Sequence, residues 1–154
     1  MKTALYVATV ARTYRKAIDD CLKSRELYEK NMGWYLEQIA GCTYRQFTTG
    51  FFYGKPDETT QIYDSNTYIK EYTYLGIVNQ VDEQGCFWIE QRNKFSVGEE
   101  IEIMKPDGEN ILTRVKSIRD ELGTAMESAP HPQQKLLVKL EHCPETYDIL
   151  RRKE

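Results

Sequence analysis

The sequence predicts an α+β fold, two N-terminal helices followed by a small, mostly antiparallel β-barrel of about six strands, and three observations predict it. Apolar residues in the first forty positions recur on steps of three, four and seven, the helical period. Beyond Gly50 the spacing drops toward two, and turn residues return at short intervals. Between the two regimes, Lys55 to Asn66 gathers Asp, Glu, Thr and Ser around Pro56 and reads as a linker. Residues 1–58 therefore form a helical segment and junction, and residues 59–154 a barrel domain.

The first helix runs from Thr3 to about Leu22. Leu5, Ala8, Ala11, Ile18 and Leu22 make its apolar side, with Arg12, Arg15, Lys16 and Asp19 opposite. A second helix starts at Ser24, a hydroxyl suited to an N-cap, and passes through Leu27, Tyr35, Leu36 and Ile39. It stops at Gly41. Two helices cannot bury both apolar faces by themselves, so this segment must pack on the rest of the chain or on another body.

Strands follow at about Tyr72–Val81, Cys86–Gln91, Glu100–Met104, Leu112–Ile118 and Lys135–Leu140, with a short one near Thr124–Glu127. Asp82 to Gly85 and Pro106 to Gly108 supply turns. Gly98 suits a positive φ, after which Ile101 and Ile103 enter the core and Glu100 and Glu102 point outward. Short strands at such regular spacing favour closure, because closure removes exposed edges.

The 21 Lys and Arg against 24 Asp and Glu give a net charge of −3, which excludes a bulk cationic field for nucleic acid. Any RNA contact must be local. Residues 1–58 carry nine basic against seven acidic side chains, and residues 59–154 twelve against seventeen, so the barrel half is the acidic one. No apolar run is long enough to span a bilayer, and Ala4–Ala11 is too short and too soon followed by Arg12 for a secretion signal, so the expected setting is cytoplasmic. Cys21, Cys42, Cys86 and Cys143 form no C-x-x-C pair, which points to buried free thiols and away from a zinc site.

Arg92, Asn93 and Lys94 lie between two strands, where a guanidinium fork, an amide and an ammonium can grip a carboxylate or phosphate. The alternative is a turn at Asn93 with Arg92 paired to an acidic neighbour. Arg45, close to Thr48-Thr49-Gly50, is a second candidate anion contact, although no phosphate-loop motif exists. His131 stands between Pro130 and Pro132, a stiffened position, but no nucleophile or carboxylate partner for it is identifiable. Cys86 and Cys143 read as core thiols beside apolar strand positions, and no catalytic residue is assigned. Tyr63, Tyr68, Tyr72 and Tyr74 invite base stacking, yet the only local cation is Lys70, set against Glu71.

Five ordered stretches carry a resemblance: Met1 to Asp19, Tyr44 to Gly54, Gln91 to Ile103, Ala129 to Gln134 and Asp148 to Arg152. Together they resemble the C-terminal region of the collagenase-like peptidases of unknown catalytic type, family thirty-two. The resemblance implies a barrel similar to the second-domain barrel of translation elongation factors. It also implies an upstream catalytic domain that bears an iron–sulfur cluster, with no cofactor in this chain. Members are described as peptidases or as proteins of transfer-RNA or ribosomal-RNA hydroxylation. On that basis the chain is expected to be an accessory domain that positions substrate or covers an active site. Its expected partners are an upstream catalytic domain or separate catalytic subunit, RNA or a protein substrate, and a second copy met through the first helix. An RNA-binding module and a self-contained peptidase are the alternatives.

Overall fold

The computed structural model describes residues 2–42, 50–58 and 71–154. Helix α1 spans Ala4–Lys23, α2 Arg25–Lys30 and α3 Met32–Ala40. The strands are β1 Tyr72–Val81, β2 Cys86–Glu90, β3 Glu100–Met104, β4 Asn110–Arg119, β5 Ala125–Met126, β6 Lys135–Leu140 and β7 Ile149–Lys153. They form one antiparallel sheet in the order β3-β7-β1-β2-β6-β4-β5, and β3 also pairs with β4, so the ladder closes into a ring with β5 outside it.

Two long strands make closure possible. β1 pairs with β7 through its first half and with β2 through its second, and β4 divides itself between β3 and β6 in the same way. Each changes register at a bulge, where a strand bends. At Gly76, in the β1 bulge, an added Cβ would lie 2.6 Å from the Ile89 side chain and 2.8 Å from the Glu90 carbonyl, so only glycine fits. The ring interior is filled by Leu75, Val78, Phe87, Ile89, Ile101, Ile103 and their neighbours, all essentially inaccessible to solvent. Gly98 takes φ +83° as its position in the sequence demands.

Three expectations need correction. The second helix is two helices, broken at Asn31. Ser24 ends α1 by donating its N–H to the Asp20 carbonyl and caps α2 by accepting from Leu27 N. The Asn31 amide, which could have capped α3, donates instead to Asp20 Oδ2 at 2.9 Å. Tyr35 OH donates to the same oxygen at 2.7 Å, and Lys16 faces the carboxylate at 3.2 Å. One buried carboxylate thus latches both short helices to α1.

The second correction concerns the buried face of α1. Leu5, Thr9, Arg12, Thr13 and Asp20 are buried, whereas Ile18 and Leu22 from the expected apolar side are 52% and 79% exposed, with Val7 and Tyr14 beside them. A polar face is buried because partners await it. Arg12 Nη1 donates to the Lys105 carbonyl at 3.0 Å and to Asn110 Oδ1 at 2.8 Å, and Nη2 donates to Gln38 Oε1 at 2.5 Å. The guanidinium also lies 5.7 Å from the Trp34 ring centroid. Burial lowers its pKa to about 10, so it stays charged at neutral pH. Alongside, Leu5 joins Met104 and Ile149 in a small cluster on the outside of β3 and β7.

The third correction is β7, which the sequence did not predict. Leu150 points into the ring, while Arg151 is buried outside it, donating to Glu102 Oε2 at 2.8 Å with its guanidinium 3.9 Å from the Tyr72 centroid. The Thr124–Glu127 strand is present as β5, and most of the Lys55–Asn66 linker lies outside the described residues.

Replacing Arg12 with Met should lower stability in urea by about 3 kcal/mol, because acceptors on three elements lose a charged donor; a loss below about 0.5 kcal/mol would contradict the joint. The latch predicts acid sensitivity. Hydrogen bonds from Tyr35 and Asn31 hold the Asp20 carboxyl at about 2, below its ordinary 3.8. Stability from this group is therefore present above about pH 4 and is lost as pH falls toward 2. Asp20→Asn should flatten that part of the stability profile.

Candidate functional site

The segment after β2 is held by main-chain bonds at every step. Gln91, buried, receives Gln133 N at 2.7 Å and donates its own N–H to the Gln134 carbonyl, while its Nε2 donates to the Ala129 carbonyl at 2.6 Å. Arg92 N donates to the Leu75 carbonyl, and Asn93 Nδ2 to the Tyr74 carbonyl at 2.7 Å. The fold therefore brings the Arg92–Lys94 segment and the His131 loop to one end of the ring. Spacing in sequence gave no hint of that meeting; Gln91 is its cause.

The charges at this end are largely matched locally. Arg92 pairs with Glu90 at 2.8 Å, both side chains being about two-fifths exposed. Arg152, which the sequence reading passed over, lies beside Lys94, donating to its carbonyl at 3.2 Å and pairing with Glu99 at 2.6 Å. Exposed pairs of this kind contribute little to stability. They do, however, occupy the guanidinium forks that an incoming anion would need. Lys94 is exposed, and among the described residues it has no ion-pair partner. Arg45 lies outside the described residues, as do Tyr63 and Tyr68.

His131 is exposed, and among the described residues its ring makes no hydrogen bond or ion pair. Of the thiols, Cys42 alone is buried; Cys86 is half-buried on β2, and Cys21 and Cys143 are exposed. Cys143 therefore departs from the expected core position, its Sγ lying 3.5 Å from the Pro144 carbonyl. No three metal-ligating side chains converge among the described residues, and all four cysteines are described. These residues do not fit an iron–sulfur cluster.

A shallow cleft of about 340 Å³ lies where α1 meets the ring, between Ala8, Ala11 and Arg15 on one side and Met104, Pro106 and Tyr147 on the other. Beneath it Lys105 bridges Glu145 and Asp148, each at 3.2 Å. The lining is mostly aliphatic and brings no nucleophile next to a base. Across these places the arrangement offers cations and hydrogen-bond donors for binding.

Comparison with known proteins gives the family. Residues 70–151 match the description "Peptidase family U32 C-terminal domain", and residues 1–62 match "Peptidase family U32". The chain is 34% identical over 142 residues to "tRNA hydroxylation protein P1" of Bacillus subtilis, covering 92% of this chain and 33% of that protein. It is 29% identical over 130 residues to "tRNA hydroxylation protein P" of Escherichia coli, covering 84% of this chain and 28% of that one. It thus spans about a third of the length of the curated relatives it matches. Among solved structures, the C-terminal domain of a Geobacillus thermoleovorans protein assigned to the U32 peptidases is 33% identical, with a TM-score of 0.47, covering 53% of this chain and 91% of that one. With more than half of its residues matching the C-terminal domain of the family, this chain belongs to peptidase family U32.

Proposed function

We propose that this chain is an RNA-positioning module of a transfer-RNA hydroxylation enzyme and acts in the cytoplasm. The observation that carries the reading is the 34% identity, across 92% of the chain, to a protein named for tRNA hydroxylation. The curated relatives are named for that reaction and not for proteolysis, which moves the reading from a peptidase accessory to its RNA-binding alternative. Hydroxylation itself belongs, in this reading, to the part of those relatives that the match does not cover. Among the described residues the exposed His131 ring makes no hydrogen bond or ion pair, which leaves it available for a binding role.

The helical segment has its own part in this proposal. Residues 1–62 match the other description of the family, and α1 leaves Val7, Tyr14, Ile18 and Leu22 exposed on one side. Through that stripe the module meets the catalytic region or subunit of the same enzyme, while the ring meets tRNA. No helix among the described residues is long and apolar enough to cross a membrane.

The test is a mobility shift of unmodified tRNA by the purified chain over a series of salt concentrations. Binding should be present at low salt and weaken steeply as salt rises, because it depends on phosphate contacts. Absence of any shift at the lowest salt, from a chain shown to be folded, would overturn the reading.

A further inference from the structure

We propose that unpaired RNA docks on the outer face of β2, β6 and β4, centred on Trp88. The inference rests on the tRNA reading above and gives that reading a surface.

Register places the residues. Directly opposed pairs in an antiparallel ladder share a face. Ile118, Val138 and Phe87 are opposed across β4, β6 and β2, and all three are buried in the ring. The neighbouring row must then point outward, and it consists of Arg119 on β4, Leu137 on β6, Trp88 on β2 and Gln80 on β1. Lys135 and Lys139 stand two residues on either side of Leu137 on its outward face, which puts them about 7–8 Å diagonally from Trp88. Arg119, Lys135 and Gln80 are exposed, and Lys139, Leu137 and Trp88 are half-buried. A half-covered indole thus lies among three cations.

Three features favour this face. It lies away from the helices, since Leu5 and Arg12 of α1 pack on β3, β7 and the β3–β4 turn. Its cations are available. Arg92, Lys105, Arg151 and Arg152 each hold a carboxylate, whereas among the described residues Arg119, Lys135 and Lys139, like Lys94, have no ion-pair partner, and these three stand together around Trp88. The one carboxylate in the patch, Glu90 opposite Lys135, is already engaged by Arg92. The charge is also local, standing on the half of the chain where acidic residues outnumber basic ones, seventeen to twelve.

An aromatic face bordered by free cations suits the two parts of an unpaired nucleotide, a base to stack and phosphates to neutralise. A duplex would not suit it, because its bases are stacked on one another and closed to the indole.

The test uses the full chain and a fluorescently labelled, unstructured ribo-oligonucleotide, with anisotropy read over a range of salt. Trp88→Ala should weaken binding about tenfold. Lys135→Gln with Lys139→Gln leaves the packing in place, and it should weaken binding and reduce the magnitude of the salt slope by about 1.4. Lys94→Ala, beside the Arg152–Glu99 pair and outside the patch, should change affinity less than either. If the wild-type chain binds and the folded double-Gln variant binds equally well with the same slope, RNA goes elsewhere and the surface is wrong, though the tRNA reading survives. If the wild-type chain binds tRNA but not this oligonucleotide at any salt, the surface is wrong and the tRNA reading stands; if it binds neither, both fail. If Trp88→Ala changes the sedimenting mass and not the RNA affinity, the occupant is a second copy of the chain and the proposal is overturned.

Discussion

A single guanidinium makes two structural layers into one body. Arg12 reaches from α1 to the β3–β4 turn and to Gln38 of α3, and it takes its acceptors from three elements far apart in sequence. A buried cation carries a large desolvation cost, offset by well-placed acceptors; Nη1 and Nη2 have theirs, while the buried Nε has none. That requirement sets the position of the helices. The turn must come close, and it does so at Gly108, where an added Cβ would lie 2.8 Å from the Lys16 side chain and 3.2 Å from Trp34. Asp20 completes the arrangement by holding α2 and α3 in place, so that Gln38 is presented to Arg12.

Docking the helices there has a consequence for the ring. One side, made by β3, β7 and the start of β1, becomes an interior lined with Leu5, Met104, Ile149 and Arg151. The other side, β2, β6 and β4, stays open to solvent. Charge follows the same division. On the covered side and at the end near Arg92, carboxylates lie against the guanidinium groups of Arg92, Arg151 and Arg152, as Glu102 does for Arg151 and Glu99 for Arg152. On the open side the basic groups remain available. A chain of net charge −3 can therefore present a cationic surface without being cationic, a route to local rather than diffuse recognition of a polyanion.

Much of this was legible in the sequence, and what was missed has physical causes. The strands bounded by Gly85, Gly98 and Gly108 were placed well, because period-two patterns and glycine turns are local signals. β7 was not placed. Its Arg151-Arg152-Lys153 run looks like a solvated tail, and only the Tyr72 ring and Glu102, distant in sequence, make Arg151 a core residue. The buried face of α1 was misassigned for the same reason, since an apolar stripe marks a face that prefers burial, whereas Arg12 and Asp20 are buried by partners that periodicity does not reveal. Asn31 was read through as helix because its amide bonds to a carboxylate eleven residues back and not to its own helix terminus. The candidates Arg92, Asn93, Lys94 and His131 do come to one end of the ring, but through Gln91, which carried no signal. Trp88 went unnoticed because a tryptophan in a strand reads as core; the register that turns it outward depends on β6.

The central claim is that the helices and the ring form one scaffold whose open face, not its helical side, receives RNA. Hydrogen exchange of the full chain with and without tRNA tests it most directly. The account predicts slowed exchange in peptides covering β2, the second half of β4 and β6, with α1 and α3 unchanged. Protection confined to α1, or to residues 92–94 and 131, with none on β2 and β6, would contradict it.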